Sequence, residues 1–303
     1  MFGSVEEIQQ RFRACRYIAS RRIATVVFLA ARMERPILVE GPAGVGKTEL
    51  AKVLAETTGR PLTRLQCYEG LDEAKALYEW KYAKQLLYTQ LLRERIGELI
   101  ADAPSLPEAV VRISGQDDAF FSHRFLAPRP LLQAIESPDP VVLLVDEIDK
   151  AEPEFEAFLL EVLSDFQVSV PELGTIKATN IPLVVLTSNN ARELSDGLKR
   201  RCLHLFIDFP PPDEELTIIR LKVPEISERL ARTVVTAVQR IRTLELRKAP
   251  SVSESLDWAR SLVILNAESL DRELVESTLT MLVKHERDLD RVKGALDKVL
   301  ADL

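Results

Sequence analysis

The sequence predicts an α/β protein: a five-stranded parallel sheet between helices, followed by an all-helical C-terminal region. Three observations carry that expectation. Short apolar runs alternate with helical patterns between residues 36 and 209. One strand-to-helix junction is rich in glycine, in a chain of 303 residues that holds only 11 glycines. After Pro210-Pro211-Pro212 the strand signals stop. Strands alternating with helices are the mark of a doubly wound parallel sheet.

Residues 4 to 33 place Val5, Ile8, Phe12, Cys15, Ala19, Ile23 and Val26 at three- and four-residue steps, which predicts one long amphipathic helix with Cys15 in the core. Arg11, Arg13, Arg16, Arg21 and Arg22 scatter around such a helix and read as a solvated or subunit-contacting face. Pro36 stops it, and Ile37 to Glu40 is a short buried-strand pattern. A helix from about Glu49 to Thr58 follows, closed by Gly59, and Leu62 to Cys67 alternates apolar with polar as a second strand. Helical patterning fills roughly Asp72 to Ala101, and Pro104 and Pro107 mark a loop. Val141 to Val145, bounded by Pro138 and Pro140, is the continuous apolar run of a strand covered on both faces. A helix from about Pro153 to Leu163, a hairpin turning near Glu172-Leu173-Gly174, a strand at Leu183 to Thr187, a helix ending near Cys202 and a strand at Leu203 to Ile207 complete the pattern. From Asp213 to Leu303 only helices are expected.

Composition narrows the function classes. Lys and Arg number 40 against 47 Asp and Glu, a net charge of -7, which disfavours a protein whose main task is coating nucleic acid. Cys15, Cys67 and Cys202 are odd in number and far apart, and read as reduced thiols; with three histidines and no Cys/His cluster, no zinc-type site is expected. The longest apolar run, Ile23 to Ala31, is too short to span a bilayer, and the acidic N-terminus lacks the pattern of a secretory signal. The expected location is cytoplasmic, with peripheral membrane association through partners as an option.

The chemistry-bearing motif is Gly41-Pro42-Ala43-Gly44-Val45-Gly46-Lys47-Thr48, which fits G-x-x-x-x-G-K-[ST] between a predicted strand and a predicted helix. Glycines let consecutive backbone N–H groups curl around phosphates, and the helix adds its positive N-terminus. Lys47 would reach the β- and γ-phosphates, and the Thr48 hydroxyl would coordinate Mg²⁺. Asp146 and Glu147 stand at the carboxyl end of a buried strand, where doubly wound sheets place ligands. Asp146 is expected to hold Mg²⁺ and Glu147 to polarise the attacking water, whereas Asp149 reads equally well as the mere start of the next helix.

With both motifs in place, the chain resembles an AAA+ ATPase from about residue 36 to the C-terminus. Within that superfamily it is similar to the MoxR group, partly through Phe166 to Thr179, which resembles the hairpin before the sensor strand. The stretches LQCYEGLDEAKALYEW (65–80), FLAPRPLLQAIE (125–136) and KRRCLHLFIDFP (199–210) look most like the CoxD type. Behind the N-terminal helix that the periodicity places over 1–35, packed on the core, the resemblance implies a nucleotide-binding AAA+ domain over 36–209, an α-helical lid over 210–303, and a homo-oligomer, usually a hexamer, with ATP at subunit boundaries. Residues 41–48 together with Glu49 and Asp146 would line the nucleotide. By position, LVVLTSNN presents a sensor-1 amide at Asn189, with Asn190 as the adjacent option, and Arg201 or Arg200 stands where the arginine finger is carried. Ser253 occupies the place of a sensor-2 arginine, for which Arg247, Lys248 or Arg260 could substitute. The same resemblance implies a von Willebrand factor A-domain partner and a metalloenzyme client, a carbon monoxide dehydrogenase or related molybdenum hydroxylase.

Two other classes compete. A small-molecule kinase or guanine-nucleotide switch can share the phosphate loop, but no N-K-x-D follows late in the sheet. A nucleic-acid remodeller is disfavoured by the acidic balance and by the lack of a recognisable DNA-binding module after the lid.

Overall fold

A computed structural model of the chain describes residues 2–114, 124–170 and 173–301. The N-terminal apolar stripe forms two helices rather than the single one expected: α1 (Val5–Ala14) and α2 (Arg21–Met33). Arg16 takes the left-handed conformation (φ 58°), and the Tyr17 N–H returns to the Phe12 carbonyl at 2.9 Å, which ends α1. Ser20 then begins α2 by accepting from the Ile23 N–H at 3.3 Å. Spacing alone misses this turn because both helices bury the same side: Ile8, Phe12, Ile23 and Val27 share one core.

The next elements are β1 (Ile37–Glu40), α3 (Lys47–Thr58) and β2 (Leu62–Gln66). Gly59 closes α3 in the left-handed region (φ 67°). The stretch expected to be helical over 72–101 is interrupted: α4 (Glu73–Leu77) runs into β3 (Tyr78–Trp80) before α5 (Tyr82–Leu91) and α6 (Arg93–Ile100). After α7 (Leu106–Ser114), β4 (Leu126–Pro128) pairs antiparallel with β3, Trp80 opposite Leu126. Buried Leu77 and Leu126 anchor that ribbon, and the Tyr78 and Trp80 rings meet edge to face at 5.9 Å. This tertiary pairing overrides local helical preference.

There follow α8 (Pro130–Glu136), β5 (Val142–Asp146), a 3-10 turn (Ile148–Lys150) and α9 (Pro153–Asp165). Next come β6 (Gln167–Val170), β7 (Gly174–Lys177), β8 (Leu183–Ser188), α10 (Asp196–Arg201) and β9 (Leu203–Phe206). The antiparallel β6–β7 pair is the expected hairpin; Glu172 in its turn lies outside the described residues.

The five-stranded sheet has the order β2-β5-β8-β1-β9, with every pair parallel. Of the three inner strands, β5 and β8 are buried throughout. Alternation sends Leu143 and Val145 to the face packed by α8 and α9, and Val142 and Leu144 to the face packed by α1, α2 and α3. Because β5, β8 and β1 are neighbours running the same way, the acids after β5, the asparagines after β8 and the glycine loop after β1 converge on one edge.

Beyond Phe206 the described residues form α11 (Pro212–Lys222), α12 (Glu228–Arg242), α13 (Val252–Ile264), α14 (Arg272–Thr278), α15 (Glu286–Gly294) and α16 (Leu296–Leu300), with no strand. They pack a separate core around fully buried Trp258, whose indole N–H donates to Thr278 Oγ1 at 2.9 Å. No helix among the described residues is long and apolar enough to cross a membrane.

Candidate nucleotide site

The glycine loop is shaped by close approach. Gly41 has φ 145°, and a Cβ there would lie 1.9 Å from the Ile207 carbonyl oxygen; at Gly44 (φ 75°) it would lie 2.1 Å from Ser251 Oγ. Both positions therefore exclude any side chain. The loop curls over Lys47, which is 5% exposed and donates to the carbonyls of Gly41 (2.7 Å) and Pro42 (2.6 Å) and to Asn189 Oδ1 (2.8 Å). Burial pulls the Lys47 ammonium below the usual lysine range, opposed by the carboxylates of Asp149, Asp146 and Glu147. A phosphate oxygen can replace such carbonyl acceptors and brings negative charge into direct contact with this buried cation.

Asp146 and Glu147 lie beside it. Asp146 Oδ1 accepts from Thr48 Oγ1 (3.0 Å) and Thr187 Oγ1 (2.6 Å), so the hydroxyl and carboxylate expected to hold Mg²⁺ are in contact. Both are hard oxygen donors of the type Mg²⁺ takes together with phosphate oxygens and water. Glu147 stands in the left-handed region (φ 57°), its N–H donating to Thr187 Oγ1 at 2.9 Å. Its carboxylate accepts from Gln66 Nε2 (2.8 Å), Lys150 Nζ (2.7 Å) and Asn189 Nδ2 (3.2 Å). The Lys150 ammonium is held above the ordinary lysine range by that hydrogen bond. Cys67 backs this edge; burial, with the nearby carboxylates, pushes its thiol up to about 12, which keeps it a neutral packing residue.

Two cavities meet at the loop. One, of about 270 Å³, is lined by Ala43, Lys47, Thr48, Asp146, Glu147 and Asn189. The other, of about 570 Å³, lies between the Arg16–Ile23 segment, Val45, the chain before α11, and the start of α13. Gly44, Gly46, Glu49 and Ser253 line both. Glu49 also bonds Lys222 of α11 at 3.0 Å, tying the glycine loop's helix to the C-terminal helices. Ser253 N–H and Oγ both reach the Gly44 carbonyl at 3.2 Å. Of the three basic candidates near it, Arg260 lines the larger cavity, whereas Arg247 and Lys248 give their backbone N–H groups to Asp288.

Asn189, rather than Asn190, joins the cluster; Asn190 takes φ 58° and donates its N–H to Ser188 Oγ. Arg200 and Arg201 stay apart from it. Both are exposed at the end of α10, and neither side chain lines either cavity. The Arg35 guanidinium grips the helix end, donating to the carbonyls of Arg200 (2.6 Å) and Arg201 (3.2 Å).

Several contributors escape a motif search. Arg64 donates to Asp146 Oδ2 at 3.1 and 2.6 Å, and Gln66 reaches Glu147. Their two-residue spacing on β2 puts both on one face, and this period-two polar pair was the available signal. Tyr17 and Arg16 line the larger cavity from a turn that the periodicity read as helix.

The family model described as AAA domain (dynein-related subfamily) matches residues 36–202. The chaperone protein ClpB of Corynebacterium diphtheriae is 27% identical over 232 residues, which cover 72% of this chain and 23% of that relative. This chain thus spans under a quarter of that ClpB's length. An uncharacterized protein of Staphylococcus saprophyticus is 21% identical over 280 residues, covering 88% of this chain and 91% of its own. Among solved structures, a Thermotoga maritima RuvB mutant aligns with a TM-score of 0.50 at 16% identity, covering 98% of this chain and 79% of its own, a likeness of fold alone.

Proposed function

The chain belongs to the AAA domain family, dynein-related subfamily, and from that premise we propose that it is an Mg-ATP-hydrolysing motor that remodels a client protein. The observation that carries the reading is the meeting of Lys47, Thr48, Asp146, Glu147 and Asn189 around one 270 Å³ cavity that opens beside a larger one. In this reading the base and sugar take the larger cavity and the phosphates the smaller. Lys47 binds the β- and γ-phosphates, Thr48 and Asp146 hold Mg²⁺, Glu147 polarises the attacking water and Asn189 orients it. Mg²⁺, when bound, supplies charge neutralisation on the phosphates. Arg201, with Arg200 as the alternative, completes the site of a neighbouring copy, since neither reaches its own chain's cavity; the assembly is then a homo-oligomeric ring, with six copies the expected number.

The finer reading is a MoxR protein of the CoxD type, acting with a von Willebrand factor A-domain partner on a maturing metalloenzyme, a carbon monoxide dehydrogenase or another molybdenum hydroxylase. Its support is the three sequence stretches at 65–80, 125–136 and 199–210. The chaperone named among the relatives agrees with protein remodelling as the class of work.

The test is Mg²⁺-dependent phosphate release from ATP by the purified chain, paired with nucleotide binding. Lys47→Ala is expected to lose nucleotide binding, and Glu147→Gln to bind ATP and retain it unhydrolysed. Equal loss of binding in both variants would overturn the division of roles.

A further inference from the structure

Asp149 lies in the 3-10 turn directly after the strand-end acids and is only 4% exposed. Its Oδ2 accepts two backbone N–H groups from the loop after β8, Asn189 at 3.1 Å and Ala191 at 2.9 Å. Its Oδ1 is buried without a hydrogen-bond partner among the described residues. A buried acid half-satisfied in this way is costly to keep. Between its two donors sits Asn190, in the left-handed region, so the loop makes a tight reversal at the point Asp149 grips. The product of that reversal is the placement of Asn189, whose amide spans from Lys47 Nζ (2.8 Å) to Glu147 Oε1 (3.2 Å).

We propose that Asp149 is a positioning residue for hydrolysis: one carboxylate oxygen, by clamping the Asn189 and Ala191 N–H groups, fixes the Asn189 amide between the phosphate-binding lysine and the water-polarising glutamate. The inference rests on the ATP-hydrolysis reading above. It places the turn after β5 and the loop after β8 in one rigid unit, so that Glu147 and Asn189 keep their separation while nucleotide enters and leaves. The acceptor matters more than the charge. An amide at position 149 still offers an oxygen to both N–H groups, whereas a methyl group leaves both of them unpaired.

Steady-state kinetics with Mg-ATP and the affinity for a fluorescent ATP analogue test this. Asp149→Ala is expected to lower kcat about 100-fold, as misplacing an orienting group by about 1 Å does, with analogue affinity within about threefold of wild type. Asp149→Asn is expected to restore kcat to within about fivefold. Added to Asn189→Ala, Asp149→Ala is expected to cost nothing further, because the two act as a unit. If Asp149→Ala does not fold, Asp149→Glu, which shifts the acceptor by one methylene, carries the same expectations of lowered kcat, kept affinity and non-additivity. Wild-type kcat in a folded Asp149→Ala, parallel loss of kcat and analogue affinity, or an additive loss on top of Asn189→Ala overturns the inference. A wild-type protein that binds the analogue but turns over no ATP overturns the hydrolysis reading instead, so the two failures are told apart.

Discussion

At the sheet edge Asp146 is 2% exposed, and in the C-terminal helical region Glu215 is fully buried, yet their partners differ in kind. Glu215 is closed on every side by its own region. Arg242 donates to both its oxygens at 2.7 Å, and Gln239 and Ser255 add bonds at 2.8 Å, joining α11, α12 and α13. Asp146 is bonded by two hydroxyls, and its cation is Arg64, whose side chain is half-exposed on the edge strand. A bidentate pair with all its lone pairs met is a structural fastening. A carboxylate whose counter-ion reaches in from solvent can exchange that partner for a metal ion at low cost.

The comparison is sharpened by variants that separate turnover from stability. The largest expected effect is at Arg201, which in the proposed function completes the open edge of another copy. Arg201→Ala should cut turnover by about 10³- to 10⁵-fold while nucleotide affinity and Tm stay near wild type; unchanged turnover would remove Arg201 as the finger. Arg242→Met leaves Glu215 buried without its cation, and should cost about 3–5 kcal/mol in urea unfolding. Arg64→Met removes a half-exposed partner and should cost about 1 kcal/mol or less. Equal losses for Arg242→Met and Arg64→Met would erase the distinction between a closed and an open carboxylate.

Legibility followed locality. The glycine loop and the Asp146-Glu147 pair could be read because the groups that act together are adjacent in sequence and framed by a strand with a 3.6-period helix beside it. The parallel sheet was readable for the same reason, its strands being short apolar runs between helical patterns. The break at Arg16 was not, since a non-glycine residue in the left-handed region leaves no mark on apolar spacing. The β3–β4 ribbon was hidden because its two strands lie more than 40 residues apart, and their pairing decides the conformation. Arg64 and Gln66 left only a period-two polar pair as a signal, and Asp149 an open reading, for a related reason. Each meets its partner only when β2, β5 and β8 are laid side by side. Asp149 in particular read equally well as a site acid or as a helix start, and its proposed role depends on two backbone N–H groups about 40 positions away.

In the proposed function this edge hydrolyses ATP and is completed by a neighbouring copy. Specific ATPase activity measured with Mg²⁺ over protein concentrations from nanomolar to tens of micromolar tests it most directly. Activity per chain is expected to rise with concentration and to level off where sizing shows the assembled ring. Activity that stays flat down to concentrations at which the chain is monomeric would contradict it, because the site would then be complete in a single copy.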